Sequence, residues 1–402
     1  MSTVDLDIER LRAETPGCER VVHLNNAGAA LMPRPVLDAV IDHLRLEAMI
    51  GGYEAASAAA SSIEDVYDQI ARLLNCGREE IAVVESATRA WQLAFHAFRF
   101  SPGDRILTNE AEYASNLIAY LQVVQATGAS VEVIPSDEWG ETSLTGLLDM
   151  LDERVRLISI THVPTNGGLV NPAAGVGRIA RAAGIPFLLD ACQSVGQFPL
   201  DVDALGCDLL TSTGRKFLRG PRGTGFLYVR RPLLERLVPP MLDLHSATLT
   251  GATTFKVRDD ARRFEQWEVN YAAKLGLGAA VRYANQVGLE AVEARVSQLA
   301  RDLRARLETI QGVVVRDLGR RPGAIVTFTV DGVQAHTVQQ WLARKHINVS
   351  VSEPEHTPLD AERRQLPPLV RASVHYYTTE VELEQCVAAV AEGLGLGRLP
   401  SA

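Results

Sequence analysis

The chain has 402 residues, 47% apolar and 22% charged, with a net charge of −9; that length predicts two domains, and the charge argues against a nucleic-acid partner, which needs clustered Lys and Arg. Five scattered cysteines without CxxC spacing argue against a disulfide framework or a metal site. The acidic start lacks the basic and apolar regions of a signal peptide, and no apolar run has the length of a membrane span, so a cytoplasmic protein without a membrane partner is expected.

From about residue 80 to 230, short apolar runs alternate with helical patterns. Strands are predicted at 81–84, 105–108, 131–134, 157–161, 187–189, 209–211 and 225–229. Their residues are not polar at every second position, as expected of strands covered on both faces. Helices are predicted between them at 89–98, 115–127 and 172–183. This alternation predicts an α/β sandwich around a mostly parallel sheet, its last two strands forming an antiparallel pair across a glycine-rich turn. After about residue 280 the pattern becomes α+β. A long helix over 290–310 leads to strands at 313–315 and 324–330, a helix over 334–345, strands at 347–351 and 370–374, and a final helix over 379–394. The stretch 354–368, rich in Pro, Glu and Arg, reads as an exposed loop.

The chemistry gathers around two strand ends. Asp190 follows the apolar run that ends in Leu188-Leu189, and a carboxylate there is costly to bury unless it meets a cation. Lys216 lies in Thr213-Gly214-Arg215-Lys216 after the next apolar run, close to Gly220, Gly223 and Gly225. An acid closing one buried strand and a lysine just past the next can grip both ends of a pyridine ring. Lys216 would join the aldehyde of pyridoxal 5'-phosphate, and Asp190 would keep the ring nitrogen protonated. Gln193 is placed to donate to the ring's phenolic oxygen. Thr213 and Arg215 offer a hydroxyl and a guanidinium suited to phosphate. Upstream, Ser86-Ala87-Thr88 sits at a strand-to-helix junction, where free N–H groups at Ala87 and Thr88 and the Thr88 hydroxyl make an anion site. For each segment alone a plainer role stands beside this one: a helix cap for Thr88, a turn cap for Asp190, a solvated surface position for Lys216.

Together these motifs resemble the class V aminotransferase family of pyridoxal-phosphate enzymes. The likeness runs from the His23–Gly28 segment to Arg371-Ala372-Ser373. It implies a fold-type I transferase fold, with a seven-stranded, mostly parallel large domain over residues 22–282 and a smaller α+β domain over 283–402. Residues 1–21 would form an N-terminal segment packing on the small domain. It further implies a homodimer with active sites at the interface, Tyr113 stacked over the cofactor ring, and either Thr165 or Asn166 near the phenolic oxygen. Arg371 would bind the substrate carboxylate, with Asn26 nearby. The family's phosphate contact from the partner subunit falls near Trp267, although Glu268 occupies the position where a threonine is common.

The Gly51-Gly52-Tyr53 segment is similar to a subgroup of carbon–sulfur lyases that includes the hercynylcysteine sulfoxide lyase and lincosamide-pathway enzymes, which places Tyr53 at a substrate mouth. Cysteine desulfurases carry a cysteine in the loop after the strand matching 347–351. Here that stretch reads Ser350-Val351-Ser352-Glu353-Pro354-Glu355-His356, with no thiol to accept sulfur. The expected function is therefore β-elimination on an S-substituted L-cysteine conjugate by a pyridoxal-phosphate lyase, giving a thiol or sulfenic acid, pyruvate and ammonia. An epimerase, an aminotransferase or a decarboxylating enzyme of the same family is the alternative. A nicotinamide enzyme is disfavoured, because no GxGxxG follows a strand.

Overall fold

The computed structural model describes residues 6–395; residues 1–5 of the expected N-terminal segment and 396–402 of the expected C-terminal domain lie outside them. Seven strands form the central sheet: β1 (Ile81–Val84), β2 (Arg105–Asn109), β3 (Ser130–Ile134), β4 (Val155–Thr161), β5 (Phe187–Asp190), β6 (Leu209–Thr213) and β7 (Gly225–Val229). Their order is β1-β7-β6-β5-β4-β2-β3. All neighbours are parallel except β7, which runs antiparallel to both β1 and β6.

Neighbouring residues of one strand feed opposite cores. Ala82, Leu188, Leu209 and Leu227 pack with Trp91, Phe95 and Tyr120 on one face. Val83, Leu189, Leu210 and Phe226 pack with Ile70, Val176 and Leu277 on the other. Both faces are covered, so the strands read as unbroken apolar runs. The carboxyl ends of β4, β5 and β6 fall side by side, with Thr161 opposite Asp190 and Asp190 opposite Thr211. In an open parallel sheet, ligands bind at this edge.

A second sheet is antiparallel: β8 (Val313–Val315), β9 (Ile325–Val330), β10 (Ser350–Ser352) and β11 (Leu369–Ser373), in the order β8-β9-β11-β10. The early chain is stitched to this unit. Val22–His23 pairs in parallel with Ile347–Asn348. Arg12 donates to the Tyr377 carbonyl at 2.7 Å and to Glu382 at 2.8 Å.

Three expectations are corrected. The strand expected over 347–351 splits, because Ile347–Asn348 pairs with the early chain while Ser350–Ser352 pairs with β11. The loop expected over 354–368 contains the helix Pro358–Arg364, with Thr357, Asp360 and Ala361 buried; a proline's fixed φ suits the first turn of a helix. The helices Arg34–Ile50, Ala60–Leu74 and Tyr271–Val287 were not foreseen, nor were shorter ones such as Ile8–Ala13, Gly52–Ala58 and Leu144–Asp149. Among the described residues no helix is long and apolar enough to cross a membrane.

Candidate active site

A cleft lies at the carboxyl edge of β4–β6. Lys216, Asp190, Gln193, Thr213, Arg215, Ala87, Thr88, Tyr113 and Thr165 all line it.

Asp190 is the last residue of β5. Its Oδ1 accepts from the Cys192 N–H at 2.9 Å and its Oδ2 from Asn116 Nδ2 at 3.1 Å. Burial nevertheless pushes its carboxyl above the usual carboxylate range, against the opposing pull of those two donors and of Lys216. No ion pair reaches it among the described residues, so the site offers a buried anion suited to a bound cation.

Lys216 opens toward the cleft, and its Nζ lies 3.7 Å from Cys192 Sγ. Loss of hydration lowers its pKa from the ordinary lysine value, and the positive charges of Arg215 and Arg371 lower it further. The loop behind it is fixed by Arg219, which has a left-handed φ of 62° and is buried. Arg219 donates to the Leu31 carbonyl and to the Tyr376 and Thr15 hydroxyls.

The anion end of the cleft is a helix start. Ser86 caps the helix Ala87–Phe95 by accepting from the Arg89 N–H at 3.1 Å, and the N–H groups of the first turn have no partner within the helix. Backbone crowding keeps this junction closed: a Cβ on Gly225 would lie 2.6 Å from the Ser86 carbonyl carbon and 2.8 Å from the Ala87 nitrogen. Arg215 spends one arm on the Gly28 carbonyl and makes no ion pair among the described residues. The Thr213 hydroxyl donates to the Thr224 carbonyl at 3.1 Å, so in this arrangement its proton is already engaged.

Arg371, buried on β11, does not itself line the cleft and meets it through the lining residue Thr165. Its Nε donates to Ser350 Oγ at 3.0 Å, and its Nη1 donates to the Thr165 carbonyl at 3.1 Å and to Thr165 Oγ1 at 2.5 Å. No carboxylate pairs with it among the described residues, and burial pushes its pKa down to about 10, with the like charge of Arg215 second.

Several expected residues stand elsewhere. Asn166 is turned from the cleft: its amide donates to Thr357 at 2.7 Å and to the Glu353 carbonyl at 3.2 Å, while its Oδ1 accepts from Ser352. Of the pair left open by the sequence, Thr165 is the one that lines the cleft. Asn26 is fully buried and spent on the fold, donating to the Ser373 carbonyl and accepting from the Tyr377 hydroxyl. Tyr53 is 78% exposed and Trp267 56% exposed, and neither lines the cleft of its own chain. Gln193 lines it, but Nε2 donates to the Ala27 carbonyl at 3.2 Å and the buried Oε1 has no partner.

Three cleft features escaped the sequence reading: Cys192, Asn116 and Glu112, a fully buried carboxylate just outside the lining. The four-residue spacing from Glu112 to Asn116 across a helix start was the available signal for that pair; for Cys192 there was none beyond its place beside Asp190.

This arrangement fits pyridoxal 5'-phosphate. Asp190 supplies the buried anion for a protonated ring nitrogen, Lys216 the amine, the Ala87–Thr88 helix start the phosphate seat, and Gln193 an unspent polar atom near the ring.

The fold and cleft together define a fold-type I pyridoxal-phosphate enzyme. The family model for class-V aminotransferases matches residues 22–386, and the chain belongs to that family. Among its relatives, a cysteine desulfurase of Yersinia pestis (strain Pestoides F) is 31% identical over 404 residues, covering 96% of this chain and 98% of the relative. Among solved structures, the apo cysteine desulfurase from Thermococcus onnurineus NA1 superposes with a TM-score of 0.90 at 25% identity, covering 98% of this chain and 99% of that one. A cystine C–S lyase, C-DES, in complex with its reaction product cysteine persulfide shares the fold, with a TM-score of 0.85 at 22% identity over 94% of this chain and 99% of that one. The chain is thus an enzyme whose cofactor is pyridoxal 5'-phosphate.

Proposed function

We propose that the chain is a carbon–sulfur lyase that performs β-elimination on an S-substituted L-cysteine, releasing a thiol (or a sulfenic acid from an S-oxide), pyruvate and ammonia. Lyase chemistry on a cysteine-type amino acid is the broader statement, in keeping with the cysteine desulfurases and the cystine lyase that share its fold. The observation that carries the finer reading is a buried, unpaired Arg371 beside a strand and loop, 350–357, that hold no thiol.

Pyridoxal 5'-phosphate, when bound, supplies the ring that accepts the electron pair freed at the substrate's α-carbon. Arg371 grips the substrate carboxylate with a planar, bidentate donor. Lys216, partly stripped of hydration, takes the α-proton; a lowered amine pKa suits a general base near neutral pH. Asp190 would hold negative charge for the ring nitrogen and so keep it protonated. After the α-proton has gone to Lys216, the bond from Cβ to sulfur breaks with its electron pair leaving on sulfur, which takes up that proton, and water converts the three-carbon remainder to pyruvate and ammonia. No protein thiol is required to receive the sulfur.

In the proposed assembly two copies pair, each lending Trp267 and Tyr53 to the partner's cleft. Support comes from the exposure of Met49, Tyr53, Leu244, Leu249 and Trp267.

The test is to incubate the purified holoenzyme with S-alkyl and S-aryl cysteines and follow thiol and pyruvate, with Lys216→Ala as control. Equal amounts of thiol and pyruvate support the reading; cofactor-loaded enzyme that yields neither ends it. A second reading rests on Cys192, the cysteine lining the cleft, 3.7 Å from Lys216 Nζ. It makes this thiol the sulfur acceptor of a desulfurase, which would yield alanine in place of pyruvate.

A further inference from the structure

Glu112 is fully buried, and nothing in the reaction as described above uses it. It follows β2 and precedes the helix Ala114–Thr127. Its carboxylate accepts from five donors. Oε1 takes the Tyr113 N–H at 2.7 Å, Asn116 Nδ2 at 2.9 Å and Thr161 Oγ1 at 2.6 Å. Oε2 takes Thr108 Oγ1 at 2.8 Å and the Tyr120 hydroxyl at 2.9 Å. Thr108 belongs to β2, Thr161 ends β4, and Tyr120 lies in the helix, so the carboxylate is pinned to the sheet.

The two remaining donors point to the cofactor cleft. Tyr113 lines it, and its backbone is set by Oε1 of Glu112. Asn116 Nδ2 has two hydrogens and two carboxylates in reach: Glu112 Oε1 at 2.9 Å and Asp190 Oδ2 at 3.1 Å. With acids on both sides, the amide nitrogen must face them, which fixes the Asn116 orientation. One buried carboxylate therefore sets both the residue at the ring face and, through one amide, the residue at the ring nitrogen.

We propose that Glu112 is a positioning residue for the pyridine end of the cleft, acting on Tyr113 through the backbone and on Asp190 through Asn116. The inference rests on the reading of Asp190 as partner of the ring nitrogen, and it does not depend on which bond of the substrate is cleaved. Burial without its partners would make such a carboxylate costly; the five donors offset part of that cost, burial and the nearby Asp190 charge still raising its pKa, and they hold it in one orientation. A group held this rigidly can transmit position to its neighbours, since buried polar networks that are fully satisfied specify a single geometry.

The experiment compares the parent with Asn116→Ala, Glu112→Ala, Glu112→Gln and Asp190→Asn. Two quantities are read: the affinity of apoenzyme for pyridoxal 5'-phosphate, and the visible circular dichroism of the bound cofactor, which reports how the ring is held. Asn116→Ala is expected to weaken affinity about tenfold, the size of one hydrogen bond to a charged group, and to diminish the visible band while far-ultraviolet dichroism stays that of the parent. Glu112→Ala loses more, because Tyr113 is freed as well. Glu112→Gln retains an acceptor for both N–H groups and recovers most of that loss. If Glu112→Ala does not fold, Asn116→Ala alone decides. Parent-like affinity and visible dichroism in Asn116→Ala overturn the positioning role. Parent-like behaviour of Asp190→Asn instead overturns the site reading beneath it, so the two failures are told apart.

Discussion

Lys216 and Cys192 touch: the amine nitrogen stands 3.7 Å from the thiol sulfur, inside the cleft. Burial raises the thiol's pKa even though Lys216 and Arg215 pull it down, so at neutral pH the sulfur is protonated and weakly nucleophilic. Replacing Cys192 by Ala should therefore leave pyruvate formation from cysteine conjugates within about threefold of the parent, since a thiol–amine contact is at best a weak hydrogen bond. Alkylation of Cys192 in the apoenzyme should be slow at pH 7 and accelerate as pH climbs above the ordinary thiol range, because the pKa is raised. Loss of all turnover in Cys192→Ala, with fast alkylation at neutral pH, would instead favour the desulfurase reading.

Arg371 is the counterpart at the carboxylate end. It is buried, it uses Nε and Nη1 on Ser350 and Thr165, and among the described residues it has no anion of its own. Arg371→Lys keeps the charge but loses the planar fork, so KM should rise roughly tenfold to a hundredfold, the worth of one charge-assisted hydrogen bond, with a smaller fall in kcat. Steady-state kinetics checks this; an unaltered KM in Arg371→Lys removes Arg371 from carboxylate binding.

The same residues explain what was legible in the sequence. Asp190 ends an apolar strand, and burial on both sheet faces is written into neighbouring residues, so β5 and its acid could be read locally. Asn26 and Asn166 could not. Their amides are spent on partners supplied by strand β11, the Tyr377 hydroxyl and the 352–357 stretch, segments that reach them only once the second unit has folded back. Local pattern carries no record of such returns. Pro354 to Pro368 misled for another reason: prolines that mark a loop by composition also open a helix, as Pro358 does. Glu112 carries no local signal of its role beyond its spacing to Asn116. Its weight comes from Thr108, Thr161 and Tyr120, which three separate elements bring to one point.

Asp190 gives a pH-dependent prediction whose sign follows from burial. Its carboxyl is raised above the usual range in the protein without a counter-cation, so acidification protonates it earlier than an exposed carboxylate. The neutral acid no longer attracts a protonated ring nitrogen. Capture of pyridoxal 5'-phosphate by apoenzyme should therefore weaken as pH falls through that raised value and be strongest above it. Asp190→Asn removes the titrating group, so its affinity should be lower throughout and lack this acidic limb. Titration of apoenzyme with cofactor from pH 4.5 to 8 tests the pair. An acidic limb that persists unchanged in Asp190→Asn assigns it to another group.

Gly225 makes a claim on sterics alone. It pairs with Val84 on one side and Thr213 on the other, at the point where β1 hands over to the phosphate-seat helix. A methyl group there would lie 2.6 Å from the Ser86 carbonyl carbon, 2.7 Å from the Ser212 oxygen and 2.8 Å from the Ala87 nitrogen, all backbone. Backbone cannot swing aside as a side chain does, so Gly225→Ala must push the Ala87 helix start away from the sheet. The expected cost is about 1–3 kcal/mol of stability, as for other overpacked sites, together with weaker cofactor binding because the first-turn N–H groups are displaced. Gly103, away from the cleft lining, is the control. Its φ is +86° and a Cβ there meets nothing within 4 Å, so Gly103→Ala carries the left-handed strain of about 1 kcal/mol without that displacement. Denaturant unfolding of both apoenzymes, alongside cofactor titration, separates the two effects. If Gly225→Ala binds cofactor no more weakly than Gly103→Ala, the close packing of β7 against residues 86–87 is not what holds the anion seat in place.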